Sequence, residues 1–175
     1  MRRVIDRDRL LQFIHDVGRD ARTEATIYLT GGATALLFGW RATTIDIDMK
    51  IDPETSDILR ALPELKERYE INVELAAPEH FIPALPQWRE RSLFIERAGR
   101  VTFRHYDFYS QALSKLERGH ARDTTDVDAM VAAGVVEPAE LLRLYEAIEP
   151  ELYRYPAISP ATFRRTVEAY VRSKQ

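Results

Sequence analysis

The chain has 175 residues, of which 45% are hydrophobic and 30% are charged, and this balance excludes a disordered or fibrous protein. Its 25 basic and 28 acidic residues leave a formal net charge of −3, which excludes a globally basic protein that coats nucleic acid but not a local basic patch. Cysteine is absent, so disulfides, thiolate zinc sites and cysteine nucleophiles are excluded.

The hydrophobic residues are spread along the chain in short runs. The N-terminal segment at 1–13 lacks an apolar leader-like stretch, and no run approaches the roughly 18 apolar residues of a membrane span. We therefore predict a cytoplasmic protein with no membrane partner, folded as one domain over residues 1–175.

Hydrophobic periodicity, glycine and proline predict an alternation of helices and strands. In chain order, the predicted elements are a helix at 6–20, a strand at 25–30, a short helix after Gly31-Gly32 that ends at Gly39, a strand at 44–51, a helix from 53 to 69 with a kink or break at Pro63, a strand at 70–75, a loop at 76–91, a hairpin of 93–97 and 101–106, and helices at 107–118, 123–133, 138–148 and 160–173. This order predicts an α+β fold. A small mixed β-sheet core at about 25–106 is followed by a helical C-terminal part at about 107–175.

A glycine pair and two aspartates carry the clearest chemical signal. Gly31-Gly32 lets the backbone approach a bulky anion, and the N–H groups of the helix behind it point to the same place, which is typical of a phosphate site. Asp46 and Asp48 share one face of the next predicted strand, with Cα atoms roughly 6.5–7 Å apart by strand rise. Such carboxylates beside a phosphate suit a hard cation such as Mg²⁺. A simple turn and a solvated strand face are the alternatives, and the joint occurrence of both motifs favours a nucleotide site.

This segment resembles the DNA polymerase β-like nucleotidyltransferase superfamily over about residues 25–75. The superfamily signature appears here as Thr30-Gly31-Gly32, a gap of about a dozen residues, and Asp46-Ile47-Asp48. The resemblance implies transfer of a nucleoside monophosphate from an NTP to a hydroxyl, with two Mg²⁺ ions held by those acids and Mn²⁺ as the alternative ion. It also implies a third carboxylate from a neighbouring strand, for which Glu74 is the candidate. An ordinary exposed strand residue is the alternative for Glu74.

A second segment resembles nucleotidyltransferase toxins of the AbiEii and MenT type and related small bacterial proteins. Residues 112–130, ALSKLERGHARDTTDVDAM, match a lysine-bearing helix followed by Arg-Asp-x-x-Asp and a hydrophobic residue. The resemblance places Lys115 and Asp123 in the active site, with Asp126 as a further candidate. The alternative is a lysine on a helix surface, with Asp123 as a helix cap and an Arg122–Asp126 pair.

Taken together, these motifs predict a Mg²⁺-dependent nucleotidyltransferase that uses two-metal phosphoryl transfer. The predicted metal ligands are Asp46, Asp48 and Glu74, and the predicted nucleotide-binding residues are Gly31, Gly32, Arg41 and Lys115. By resemblance, the acceptor is the 3′ end of a tRNA or another RNA. The setting is then a toxin–antitoxin or phage-defence pair with a cognate partner protein. The alternatives are nucleotidylation of a partner protein and a non-catalytic member that binds nucleotide or an antitoxin.

The histidines carry weaker signals. His15 is predicted on the surface of the first helix, and His105 and His120 lack the spacing of a metal-ligand pair. His120 lies in a small basic cluster with Arg118 and Arg122, for which a solvated turn is favoured over contact with the phosphates of an RNA acceptor.

Overall fold

The computed structural model describes residues 3–175, which form two compact units. The first unit combines the chain up to residue 77 with residues 92–106, and the second combines residues 78–91 with 107–175. Met1 and Arg2, which belong to the N-terminal segment predicted to lack a leader, lie outside the described residues. The predicted α+β fold class is confirmed, whereas the prediction of one domain over residues 1–175 stays a prediction.

Within the described part of the chain, the first unit contains a five-stranded mixed sheet. The strands are β1 (Ala25–Thr30), β2 (Asp46–Asp52), β3 (Asn72–Leu75), β4 (Phe94–Ala98) and β5 (Val101–His105). Their order across the sheet is β3-β2-β1-β5-β4. Strand β2 runs antiparallel to β1 and parallel to β3, while β5 runs parallel to β1 and antiparallel to β4.

The helices divide between the two units. Those of the first unit are α1 (Arg7–Asp20), α2 (Gly31–Leu37) and α3 (Ser56–Tyr69). Those of the second unit are α4 (Trp88–Arg91), α5 (Phe108–Arg118), α6 (Ala121–Ala132), α7 (Pro138–Ile148), α8 (Pro160–Ser173) and two 3₁₀ helices at Pro78–His80 and Glu149–Arg154. Among residues 3–175, no helix is both long enough and apolar enough to span a bilayer.

One face of the sheet carries the core of the first unit. Helices α1 and α3 pack against each other, and the apolar stripe of α1 is buried together with the apolar side of β2. Ile47 and Met49 are fully buried on that side, so the period of two along β2 turns the residues between them to the opposite face. Burial of these side chains is the main favourable contribution to the stability of the unit, at roughly 1.5–3 kcal/mol for each large side chain.

Several element boundaries differ from the sequence prediction for reasons that the backbone shows. Strand β2 begins at Asp46 rather than residue 44, because Thr44 instead exchanges backbone hydrogen bonds with Ile5. Helix α2 begins at Gly31 itself. Strand β3 begins at Asn72 because Glu70, in the left-handed conformation with φ 55°, ends α3.

The proline-rich parts of the chain are more regular than predicted. Helix α3 begins at Ser56 instead of residue 53 and runs through Pro63 without a break. The segment 76–91, predicted as a loop, contains α4 and the 3₁₀ helix at Pro78–His80. Outside these proline-rich parts, helix α6 begins at Ala121, two residues before its predicted start.

Candidate functional site

The glycine pair joins β1 directly to α2 and lies against β2. Gly31 has φ +61°, and a Cβ atom at this position would lie 2.9 Å from Oδ2 of Asp48. A Cβ atom on Gly32 would lie 2.2 Å from Oγ1 of Thr44. Gly31 is therefore favoured by its left-handed backbone conformation, and Gly32 is required by the close approach of the Thr44 side chain.

The two aspartates lie on the face of the sheet opposite the core. Asp46 and Asp48 are half-buried, and the buried residue between them, Ile47, points to the other face. In the antiparallel pairing of β1 with β2, Asp48 lies opposite Thr30, the residue that precedes the glycine pair. The predicted grouping of the glycines with Asp48 is thus present in the structure.

Glu74 lies beside the aspartates on the neighbouring strand. The parallel register pairs Glu74 with Asp48 and Asn72 with Asp46, so the side chains of all four residues project from the same face. The Glu74 side chain is exposed, which agrees with either of its two interpretations, a metal ligand or a strand-surface residue.

Asn72 connects two of these carboxylates. Its side-chain amide nitrogen Nδ2 donates hydrogen bonds to Oδ1 of Asp46 at 3.1 Å and to Oε1 of Glu74 at 2.6 Å. No motif in the sequence assigned a role to Asn72.

The chemistry of these residues fits a hard divalent cation. Asp46, Asp48 and Glu74 offer carboxylate oxygens, which Mg²⁺ and Mn²⁺ prefer. Two of these carboxylates, those of Asp46 and Glu74, accept hydrogen bonds from the same nitrogen, Nδ2 of Asn72. Among residues 3–175, no three His, Asp or Glu side chains are arranged as a ready-made metal site. The metal ligands therefore stay a prediction that rests on the type of donor and on its placement on one face.

Arg41 lies in the segment between α2 and β2. Its backbone N–H donates to the carbonyl oxygen of Ala35 at 3.3 Å, which folds the chain back against the end of α2. The predicted contact of its guanidinium group with a nucleotide stays a prediction.

A buried histidine on β5 contacts α2, the helix that begins at the glycine pair. Nδ1 of His105, on β5, lies 3.0 Å from the hydroxyl of Thr34, and the imidazole packs edge-on against Phe38. Burial lowers the pKa of His105 to about 4, so the ring is neutral at physiological pH. His105 thus links β5 to the helix that begins at the glycine pair.

The second unit contains a separate charged cluster between α5 and α6. The Lys115 ammonium donates to Oδ2 of Asp126 at 2.8 Å and lies 3.7 Å from Oδ1 of Asp123. The guanidinium group of Arg118 binds both oxygens of Asp123, at 2.8 and 2.5 Å. The Lys115 side chain is only 11% exposed, so Lys115 is not a solvated lysine on a helix surface.

Asp123 forms ion pairs with Lys115 and Arg118 and does not cap the helix. The N-cap of α6 is His120, and Asp123 lies in the first turn of the helix, which corrects the alternative interpretation of Asp123 as the cap. Burial raises the pKa of Asp123, but the hydrogen bond and charge of Arg118 and the charge of Lys115 outweigh burial and leave that pKa below its usual value. Asp123 is therefore ionised at neutral pH.

The start of α5, the helix that bears Lys115, is fixed by a second buried carboxylate. Asp107 is fully buried, accepts from the Ser110 hydroxyl at 2.8 Å, and receives two hydrogen bonds from Arg91 at 2.8 and 3.1 Å. A bidentate pair of this kind fixes geometry as well as charge. The N-terminal end of α5 is thereby tied to α4.

Comparison with known families agrees with the fold and the motifs. A family model described as a nucleotidyltransferase of unknown function (DUF6036) matches residues 8–174. The chain therefore belongs to this nucleotidyltransferase family. No curated protein and no solved structure matches it significantly.

Proposed function

We propose that this protein is a divalent-cation-dependent nucleotidyltransferase that moves a nucleoside monophosphate from an NTP to a hydroxyl acceptor. The observation that carries the proposal is the placement of Asp48 against the glycine pair: Asp48 lies opposite Thr30, a Cβ atom on Gly31 would lie 2.9 Å from Oδ2 of Asp48, and Asp46 lies on the same face of β2. Membership of the nucleotidyltransferase family supports the same reaction class.

In this reaction the acceptor oxygen attacks the α-phosphorus, the bond to pyrophosphate breaks, and the hydroxyl proton is released. Divalent cations, when bound, would neutralise phosphate charge and lower the pKa of the attacking hydroxyl, as in two-metal enzymes. Asp46, Asp48 and Glu74 supply the anionic oxygens for those cations. Gly31 and Gly32, the first two residues of α2, are assigned to the phosphates by the resemblance of the glycine pair to the superfamily signature.

Lys115 and Asp123 are assigned to nucleotide binding by the resemblance of their segment to the toxin motif. Within the second unit, Asp126 and Asp123 hold the Lys115 ammonium in one place, so its charge is oriented before any ligand arrives. A side chain that is already fixed loses little entropy when a ligand binds. Arg41 is the further cation that we assign to the nucleotide.

For the acceptor we propose the 3′ end of a tRNA, with a role as one member of a toxin–antitoxin or phage-defence pair. This finer proposal is supported by the resemblance of residues 112–130 to AbiEii and MenT type toxins. Nucleotidylation of a partner protein is the competing outcome that the experiment must separate from it.

The test incubates the protein with each α-labelled NTP, Mg²⁺ or Mn²⁺, and either total RNA or a protein extract. We expect label in tRNA, and loss of roughly 100-fold or more in rate for Asp46→Ala and Asp48→Ala, since each removes several kcal/mol of charge stabilisation. Glu74→Gln should cause a smaller loss.

The matched control is Asp52→Asn, because Asp52 lies on the same strand and face but pairs with Thr26 at the far end of β2. Full activity of Asp46→Ala or Asp48→Ala would refute the metal assignment. Label in protein would replace the tRNA proposal, and the absence of label from every fraction would refute the transferase proposal.

A further inference from the structure

Asn72 is a buried polar residue that lies between two carboxylates on the polar face of the sheet. It is the first residue of β3, its Cα atom is paired with that of Asp46, and the residue is only 7% exposed. The next residue on the same face is Glu74. A neutral amide is thus enclosed between two of the carboxylates that we assign to the cations.

The hydrogen bonds of Asn72 use the full donor capacity of its amide nitrogen. An asparagine NH₂ group has two hydrogens, and here Nδ2 reaches Asp46 at 3.1 Å and Glu74 at 2.6 Å. Nearby carboxylates of like charge repel each other, and two charge-assisted hydrogen bonds from one group offset that repulsion. The amide therefore fixes the positions of both side chains on the face.

We propose that Asn72 is a positioning residue of the metal site, whose amide group holds Asp46 and Glu74 in place for a divalent cation. The inference rests on the proposed function, because it assigns Asn72 to the same cation. Partners that orient metal ligands typically affect metal affinity by 10–100-fold. Removal of the amide should therefore weaken cation binding even though Asn72 supplies no oxygen to the cation in this arrangement.

Two substitutions of Asn72 should change the affinity for Mn²⁺ in opposite directions. Asn72→Ala removes both donors, so Mn²⁺ should bind about 10-fold more weakly. Asn72→Asp keeps the shape of the side chain but replaces the amide donor with a fourth anionic group beside Asp46, Asp48 and Glu74. The cation-free protein should then melt at a lower temperature, while Mn²⁺ should bind more tightly and raise the melting temperature by more than it does in the wild type.

The experiment measures free Mn²⁺ by electron paramagnetic resonance during titration of the full-length protein, and the melting temperature with and without Mn²⁺. The matched control is Val73→Ala, because Val73 is buried on the opposite face of the same strand. Its loss of packing should lower the melting temperature equally with and without Mn²⁺ and leave the Mn²⁺ affinity unchanged.

The outcomes separate this inference from the function on which it rests. If Asn72→Ala binds Mn²⁺ as the wild type does and behaves like Val73→Ala in the melts, Asn72 is a structural residue and the inference is overturned. That result stands even if Asn72→Asp does not fold. If the wild type binds no Mn²⁺, or binds it equally well after Asp48→Ala, the proposed metal site itself fails.

Discussion

Substitution of Gly31 by alanine tests whether the position of the Asp48 carboxylate matters for the reaction. The new Cβ atom would lie 2.9 Å from Oδ2 of Asp48, whereas ordinary contacts begin at 3.4 Å. The carboxylate must therefore move by about 0.5 Å, which is cheap in stability because it is the far end of a side chain. The same substitution places alanine at φ +61°, which costs roughly 1–2 kcal/mol.

Gly39 provides the matched control for the backbone strain. Gly39 has φ +79°, and a Cβ atom there would meet nothing within 4 Å. Gly39→Ala should therefore carry a similar strain without moving Asp48. We expect both variants to melt about 2–8 °C below the wild type, since roughly 1–2 kcal/mol corresponds to that shift in a chain of this size.

The two variants should differ in activity. Because a displacement of 1 Å at a catalytic group can cost roughly 100-fold, a shift of half that size predicts about a 10-fold lower rate of nucleotide transfer for Gly31→Ala. Gly39→Ala should retain the wild-type rate at a temperature well below its melting transition. The assay is label transfer from the NTP, beside a thermal melt of each variant. Equal rates in Gly31→Ala and Gly39→Ala would show that the position of Asp48 does not matter for the reaction.

Three further predictions concern charged groups. Lys115→Met should weaken NTP binding in a titration, and it should lower the melting temperature because the buried Asp126 carboxylate loses its ammonium partner, at a cost of roughly 3 kcal/mol. Adding Asp126→Asn to this variant should restore much of the stability but not NTP binding. Recovery of NTP binding in the double variant would contradict the role of Lys115. Because the pKa of Asp123 in the folded protein lies below its ordinary value of 3.8, the stability that its ionised form contributes should be lost as the pH falls below 3.8, and denaturant melts of Asp123→Asn should lack this part of the acid dependence. The pKa of His105 is about 4 instead of 6.5, so between pH 6.5 and 4 the unfolded chain binds a proton at His105 that the folded chain does not, and the free energy of unfolding should fall by up to about 3 kcal/mol over this range. In denaturant melts, the free energy of unfolding of His105→Gln should depend less on pH in that range. An unchanged pH dependence would mean that His105 is not its cause.

Local patterns in the sequence were enough to predict the main elements and the paired acids. The alternation from Ile45 to Ile51 is a property of neighbouring residues, so it predicts that Asp46 and Asp48 share a face wherever the strand lies. The glycine pair likewise predicts a turn after β1 on grounds of backbone conformation alone. For the same reason, the hairpin of β4 and β5 was predicted from its short connection.

Tertiary structure alone decided which of these residues meet. The register that pairs Asp48 with Glu74 joins strands separated by α3, and the attachment of Thr44 to Ile5 spans almost forty residues of chain. Lys115 is paired with Asp126 of the next helix because α5 and α6 pack together, which helix periodicity within either segment does not specify. Strand and helix periods follow from the covalent geometry of adjacent residues, whereas registers and ion pairs follow from how the core packs. The hydrogen bonds of Asn72 to Asp46 and Glu74 therefore emerged only from the folded chain.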